Sequence, residues 1–345
     1  MRRNHRKRKY NKQKRTIIIT SFVLLISLSV GYSAFSTNIN LNVKGNINAT
    51  PSTCFTVTDN GDGTGTITDY DKTCGSKVII PSKINNLTIT KLADLPIDAN
   101  TTKGFVNKNI TKVILPDTLT YIGNMSFFSD KLTEIKIPSN VTYIGQQAFS
   151  GNSIMGELIL PNGLKTIEQV AFYGNNITKV TIPSSVTFLG QGAFTNNNLE
   201  GNGRFVPQIN NGITDYKILN SYASKQTDNI IIPNYIEKLM PWSFGGLTIK
   251  YIEIPSNVRI IYNETFSNTK LTTLKLNEGL QEIGANTFIG STLNTISLPS
   301  TITNINSSAF ARSNITTINI NKKQNAIEGA PWGAKDATVN WTSTD

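Results

Sequence analysis

Apolar residues recur along the chain in a frame of 22 or 23 residues. The unit LTEIKIPSNVTYIGQQAFSGN, which begins at Leu132, returns as ITKVTIPSSVTFLGQGAFTNN from Ile177 and as IKYIEIPSNVRIIYNETFSNT from Ile249. In each unit aliphatic residues alternate with other residues up to a proline, and proline has no amide hydrogen to continue a strand ladder. The frame therefore predicts one short strand per unit, ended by the proline.

In each unit a phenylalanine lies eleven residues after the position that ends the strand. That position is proline in every such unit except one, where it is Asn277. A unit of this length cannot bury its apolar face alone, whereas stacked units bury it between them. We therefore predict a β-rich repeat solenoid in which the aromatic rings form a spine along the core. The eight residues are Phe127, Phe149, Phe172, Phe194, Phe244, Phe266, Phe288 and Phe310.

The period fails over residues 199–229, where a structureless loop of such length inside a solenoid would be unusual. The stretch GITDY at 212–216 repeats part of GTITDY at 65–70, and each precedes a strand that ends in proline. We infer that a hairpin module occurs twice, which requires paired strands within residues 204–218. The predicted organisation is a leader at 1–36, a linker at 37–53, a hairpin cap at 54–74, a first repeat block at 75–198, an internal hairpin insert at 199–229, a second repeat block at 230–320, and a C-terminal cap and tail at 321–345.

The net charge of +11 is concentrated at the N-terminus, because residues 1–15 carry nine Lys and Arg and no acid. Without them the chain has 24 basic and 22 acidic residues, so we expect no nucleic-acid partner. An uncharged, mostly apolar run follows at 16–35, and a basic block before such a run is typical of an export signal. We predict a secreted protein, or one tethered to the outer face of the cytoplasmic membrane if the leader is not cleaved, with membrane contact through residues 16–35 alone.

Residues for the common kinds of catalysis are missing. The one histidine is His5, in the leader, which excludes Ser-His-Asp and Cys-His nucleophiles and His-ligated zinc from the exported part. The glycine loops that bind phosphates are absent as well. We therefore predict no enzyme activity, no cofactor and no metal centre.

Two cysteines, Cys54 and Cys74, enclose a run of Asp, Asn and Gly. Exported proteins usually pair such residues, and the C-x-x-C spacing of redox pairs is absent, so we predict a structural disulfide that bounds a hairpin cap.

The loop between the cysteines has a second interpretation as a cation site. Asn60, Asp62 and Asp69 match the third, fifth and twelfth places of an EF-hand loop, but Thr58 stands at the first place. The flanking residues alternate as strands do. We therefore interpret the run as hairpin turn chemistry, with a weak cation site as the alternative.

The unit I-x-I-P-x-x-V/L-x-x-I-G-x-x-A-F resembles the BspA-type leucine-rich repeats of bacterial surface proteins, and the resemblance extends over residues 75–341. The end NAIEGAPWGAKDATVNW, which leaves the period after Ile320, is similar to a terminal cap of that family. The resemblance implies an exported interaction protein whose partner is an extracellular protein or a cell-surface glycan, with adhesion as the commonest role. A structural component of the envelope or matrix is the alternative, and a carbohydrate-binding protein is a weaker one.

Residues between the buried aliphatics of each predicted strand point outward, and such faces of leucine-rich solenoids bind partners. The outward positions carry a mixture of Lys, Glu, Tyr and Ile that suits protein recognition, although an ordinary solvated face has the same composition. Tyr251, Glu253 and Lys275 form the predicted hot spot, because an aromatic residue with flanking charges suits one. The candidate binding face is Lys112, Glu134, Lys136, Glu157, Lys179, Tyr251, Glu253 and Lys275.

Overall fold

The computed structural model describes residues 49–98, 101–225, 227–228 and 230–342. The predicted leader at 1–36 and most of the predicted linker lie outside these residues, as do residues 343–345. From Ala49 onward the chain forms one compact unit. No helix in this described part is long and apolar enough to cross a bilayer.

The repeats form a β-solenoid of the leucine-rich type, which confirms the predicted fold class. Most coils contain the predicted strand before the proline, and the structure adds a second strand of two residues after it. The second strands join a 14-stranded sheet that runs along the solenoid, whereas the first strands form four small sheets. Neighbouring coils pair in parallel, so that Ile144 in the long sheet lies between Ile122 and Ile167.

Most strands are short, and helical structure among the described residues is limited to three 3-10 turns at Ser52–Cys54, Lys72–Cys74 and Gly201–Arg204. The strands in chain order are β1 (Phe55–Asp59), β2 (Thr64–Tyr70), β3 (Lys77–Ile79), β4 (Lys83–Ile84), β5 (Leu87–Leu92), β6 (Lys112–Ile114), β7 (Tyr121–Ile122), β8 (Tyr143–Ile144), β9 (Met155–Ile159), β10 (Thr166–Ile167), β11 (Asn176–Thr181), β12 (Phe188–Leu189), β13 (Phe205–Asn210), β14 (Ile213–Tyr222), β15 (Lys238–Leu239), β16 (Tyr251–Ile254), β17 (Ile260–Ile261), β18 (Thr273–Leu276), β19 (Glu282–Ile283), β20 (Thr295–Leu298), β21 (Asn304–Ile305), β22 (Thr317–Ile320) and β23 (Thr338–Trp341).

The alternation within a unit places its aliphatics in the core and its backbone in contact with both neighbouring coils. Val141 and Ile144 are fully buried. Between them, the Thr142 N–H donates to the carbonyl of Thr120 at 2.9 Å, and the Thr142 carbonyl accepts from the N–H of Lys165 at 2.8 Å. Because such ladders recur from coil to coil, each unit is stabilised mainly by its two neighbours.

The predicted phenylalanine spine is buried along its whole length. Phe172 stacks on Phe149 with 5.3 Å between ring centroids and on Phe194 with 5.4 Å. Each ring sits in a tight turn, and the residues two before and two after Phe149, Gln147 and Gly151, both have positive φ. Further aromatic residues, which the repeat period did not predict, extend the spine. They are Tyr70, Phe105, Tyr222 and Trp332.

Buried asparagines form a second ladder in the first block, three residues after Phe149, Phe172 and Phe194. The Asn175 Oδ1 atom accepts from the N–H of Ile154 at 3.0 Å, and its Nδ2 donates to the carbonyls of Phe149 and Phe172 at 2.9 and 3.1 Å. One amide thereby satisfies backbone groups that would be costly to bury unpaired. The members of this asparagine ladder are Asn152, Asn175 and Asn197.

Antiparallel hairpins stand before the first repeats and within the predicted internal insert. β1 pairs with β2 so that Phe55 lies opposite Tyr70, and β13 pairs with β14 so that Phe205 lies opposite Tyr222. Each tyrosine stacks on the next ring of the spine. Tyr222, and not Tyr216, is therefore the counterpart of Tyr70, so the shared ITDY sequence is out of register between the two hairpins.

The solenoid continues across the second hairpin. The N–H of Gly192 donates to the carbonyl of Asn220 at 3.3 Å, and the N–H of Leu199 donates to that of Ala223 at 2.8 Å. The coil before the hairpin is thus hydrogen-bonded to the end of β14 and to the residue after it, and β14 pairs in parallel with β15 of the next coil, so the hairpin is an excursion from one coil.

Segments outside the repeat cover both ends of the described solenoid. A disulfide joins Cys54 to Cys74 beside the first hairpin, with 6.1 Å between the Cα atoms. At the other end β23 pairs in parallel with β22, and Trp332 packs edge-on against Phe310 with 6.1 Å between ring centroids.

Candidate functional site

The candidate binding face lies along the small parallel sheets, where residues alternate between core and solvent. In β16, Ile252 and Ile254 are buried, whereas Tyr251 is exposed and Glu253 is partly exposed. Lys136 is exposed, and so are the other five residues of the predicted face. The structure therefore leaves all eight available to a partner.

Ion pairs join most of the charges of this face to each other between neighbouring coils. Lys112 Nζ lies 2.8 Å from Glu134 Oε1, and Lys179 Nζ lies 2.9 Å from Glu157 Oε1. The hydrogen bond from Lys112 holds the pKa of the Glu134 carboxyl below its ordinary value. Water screens such exposed pairs, so they contribute little to the free energy of unfolding.

Tyr251, Glu253 and Lys275 come together as one patch. Glu253 Oε1 lies 2.8 Å from Lys275 Nζ, and Glu253 Oε2 accepts a hydrogen bond from the Tyr251 hydroxyl at 3.3 Å. Asn277 also donates to this carboxylate at 2.8 Å. Hydrogen bonds from Lys275 and Asn277 lower the pKa of Glu253, and the carboxylate raises the pKa of Lys275. Because the carboxylate already has these partners, the exposed ring of Tyr251 is the aromatic contact surface that the patch offers.

Isoleucines project into solvent from the same face, two residues before their prolines. The side chains of Ile159 and Ile231 are 74% and 82% exposed, and that of Ile114 is 43% exposed. These side chains give the face apolar surface that a bound partner would remove from water.

A cleft of about 730 Å³ interrupts the face where the period of the sequence fails. Val180 and Ile182, at the end of β11, form one wall, and Phe205, Tyr216 and Tyr235 line the rest with other residues of the hairpin. Clefts that bind ligands have volumes in this range. The break in the period is visible in the sequence but the cleft is not, because its lining depends on the path that the hairpin takes.

The Asp, Asn and Gly loop of the first hairpin uses its carboxylates within the turn. Asp59 Oδ1 accepts from the N–H of Gly61 at 2.8 Å, and Asp62 Oδ1 accepts from that of Thr64 at 2.9 Å. The hydrogen bonds from Thr64 lower the pKa of Asp62. These are the contacts of Asx turns. In the part of the chain that the structure describes, no three His, Cys, Asp or Glu side chains lie together as metal ligands would.

A family model described as "BspA type Leucine rich repeat region" matches the chain with six copies, over residues 92–200 and 219–331. The matched ranges leave out most of the second hairpin, which agrees with its position as an excursion from the solenoid. No match was found among curated protein sequences.

Solved structures with a similar chain path include a leucine-rich repeat protein from Bacteroides ovatus, at 21% identity and a TM-score of 0.45, with 83% of this chain and 66% of that chain covered. A leucine rich cell surface protein from Faecalibacterium prausnitzii has 20% identity and a TM-score of 0.43, with 84% and 94% covered. The pneumococcal vaccine antigen PcpA has 19% identity and a TM-score of 0.47, with 79% and 80% covered.

Proposed function

Since this chain belongs to the BspA-type leucine-rich repeat family, we propose that it acts outside the cell as a non-catalytic binding protein. Its partner is an extracellular protein or a cell-surface glycan, and its role is adhesion. The basic and apolar leader at 1–36 supports export. The observation that carries the binding role is the set of isoleucines that the sheet face holds in solvent, with Ile159 and Ile231 the most exposed.

Binding of the full-length chain to immobilised extracellular matrix proteins and cell-wall glycans tests this proposal. The double variant Ile159→Ser/Ile231→Ser is expected to bind at least about tenfold more weakly, because contact with exposed apolar side chains supplies most of the affinity of such faces. Ile97→Ser is the matched control, since Ile97 is also exposed but lies in the loop after β5. Equal binding by wild type and the double variant would contradict the proposal, as would wild-type binding to none of the surfaces.

A structural role in the envelope is the second candidate. The ion pairs between coils favour it, because they leave most charges of the face already neutralised within the chain. A structural component should remain in the envelope fraction when Ile159 and Ile231 are replaced by serine, and it should show no affinity for soluble matrix proteins.

A further inference from the structure

The strand face lacks a strand beside β11. Within the described residues β11 pairs with β9 on one side and with no strand on the other. The next coil begins to follow it, because the N–H of Asn198 donates to the carbonyl of Ile177 at 2.9 Å. The turn at Gly201–Arg204 then leads the chain into β13. An open strand edge is a template for another extended chain.

Core-facing side chains of β11 are uncovered at the same place. Val180 and Ile182 are only partly buried, whereas Leu158 and Leu160, at the same positions of the preceding coil, are 2% and 6% exposed. Covering this aliphatic pair with apolar groups would remove it from water and is favourable. The open edge and the uncovered pair lie side by side, so one occupant with a main chain and apolar side chains satisfies both.

The charges around the cleft restrict the occupant further. None of the side chains described as lining it is charged, and the tyrosines Tyr216 and Tyr235 are 65% and 47% exposed. At the opposite end of β11, Lys225 Nζ donates to Asn176 Oδ1 at 2.6 Å, so its partner there is neutral. An occupant therefore directs uncharged side chains into the cleft, while an acidic group is favoured next to Lys225.

We propose that this cleft binds an extended peptide segment of a partner protein, which pairs with the open edge of β11 as an additional strand. β11 has six residues, so the bound segment has about the same length and spans roughly 20 Å. Every second side chain is apolar and contacts Val180, Ile182 and the two tyrosines, and an acidic residue at one end lies beside Lys225. This inference rests on the proposed binding function and names the class of partner.

Selection from a phage-displayed library of random octapeptides on the full-length chain tests the proposal. The enriched peptides are expected to carry apolar residues at alternate positions. Their affinity is expected to fall at least about tenfold on the variant Tyr216→Ala/Tyr235→Ala, whose side chains are exposed enough to be removed without disturbing the fold. Ile97→Ala is the matched control, because Ile97 is exposed in the loop after β5 and does not line the cleft, and it should bind the peptides as wild type does.

Methylation of the peptide backbone tests strand pairing without any change to the protein. Successive N–H groups of a strand point to opposite sides, so N-methyl groups at one alternate set of positions face β11 and those at the other set do not. One methylated form of the best peptide should lose at least about tenfold in affinity, and the other should keep it within about threefold. Equal effects of the two forms would exclude strand addition.

Three outcomes overturn the inference. The first is that no peptide is enriched. The second is that the peptides bind wild type and the tyrosine variant equally. The third is that peptides do not bind, whereas glycans bind wild type and lose affinity for the tyrosine variant. The last would replace the peptide with a sugar. If matrix binding is lost in Ile159→Ser/Ile231→Ser but unchanged in Tyr216→Ala/Tyr235→Ala, the proposed function stands and only the peptide cleft fails.

Discussion

Asp130 occupies in its coil the place that Asn152 occupies in the next one. Asp130 Oδ1 accepts from the N–H of Ile110 at 3.0 Å, as Asn152 Oδ1 accepts from that of Leu132 at 3.0 Å. Asn152 Nδ2 donates to the carbonyl of Phe127 at 2.7 Å, but the Oδ2 atom of Asp130 is buried and has no hydrogen-bond partner in the described structure. A carboxyl group therefore stands where the repeat uses a donor, and burial raises the pKa of Asp130 to about 7.

The stability of the chain is expected to fall as the pH rises through about 7. The folded pKa of Asp130 lies above the ordinary value for an unfolded chain, which is about 4, so the folded state binds the proton more tightly. This contribution is complete below about pH 4 and is lost as the pH rises through about 7. Asp130→Asn supplies the missing donor, and it should stabilise the chain by about 2 kcal/mol at pH 8 in denaturant titrations.

The slope of stability with pH distinguishes this effect from simple packing. Asp130→Asn should remove the part of the slope between about pH 5 and pH 8 that wild type shows, and Asn152→Asp should add a similar slope. An unchanged slope in Asp130→Asn would show that Asp130 is not the responsible group. Replacement of Lys108 by methionine should increase the slope, because the Lys108 charge favours the Asp130 carboxylate.

Removal of the disulfide is expected to loosen the first hairpin alone. In the chain-entropy model, a bond with a sequence separation of 20 stabilises by roughly 3 kcal/mol. In the variant Cys54→Ser/Cys74→Ser, amides of β1 and β2 should exchange with solvent faster. The β13–β14 hairpin, which has no cysteine, is the internal control and should keep its exchange rates. Faster exchange throughout the chain would contradict a local role, and free thiols in the exported protein would contradict the bond itself.

Tyr222 is expected to be essential for stability and Tyr216 dispensable. The Tyr222 ring is fully buried and stacks on Phe244 with 5.4 Å between centroids, whereas Tyr216 is exposed. Tyr222→Ala should cost about 3 kcal/mol or more in free energy of unfolding, and Tyr216→Ala less than about 0.5 kcal/mol. Thermal unfolding of the two variants measures the difference. A larger loss of stability for Tyr216→Ala would show instead that Tyr216 is the counterpart of Tyr70, as the ITDY alignment predicts.

The same tyrosines show what the sequence could and could not predict. A spine of phenylalanines follows from the period alone, because every stacked unit must bury the same face. The register of the second hairpin does not, since ITDY is a good strand sequence in either register and burial decides between them. One signal was available: Tyr222 lies eleven residues before Pro233, as Phe127 does before Pro138. The peptide cleft could not be predicted, because it depends on where the chain leaves the coil after Leu199.

The ion pair between Lys275 and Glu253 is expected to contribute little to stability. Its atoms lie 2.8 Å apart, but both side chains are well exposed, so solvent screens the attraction. Lys275→Ala should change the free energy of unfolding by less than about 0.5 kcal/mol, and added salt should not alter the difference appreciably. A loss above about 1 kcal/mol in urea titrations would show that the pair holds the coils together.

Phe172 and Phe188 lie in successive coils and should lose very different amounts of stability on the same substitution. Phe172 is fully buried between two spine rings, whereas Phe188 is 38% exposed on the long sheet. Phe172→Ala leaves a cavity that the neighbouring rings cannot fill, at a cost of about 3–5 kcal/mol, while Phe188→Ala should cost about 1 kcal/mol. Each coil is stabilised mainly by contacts with its neighbours. In Phe172→Ala, the lower stability should therefore appear in hydrogen exchange as unfolding of the first block before the second. Simultaneous unfolding of both blocks would show instead that the hairpin coil at Tyr222 couples them into one cooperative unit.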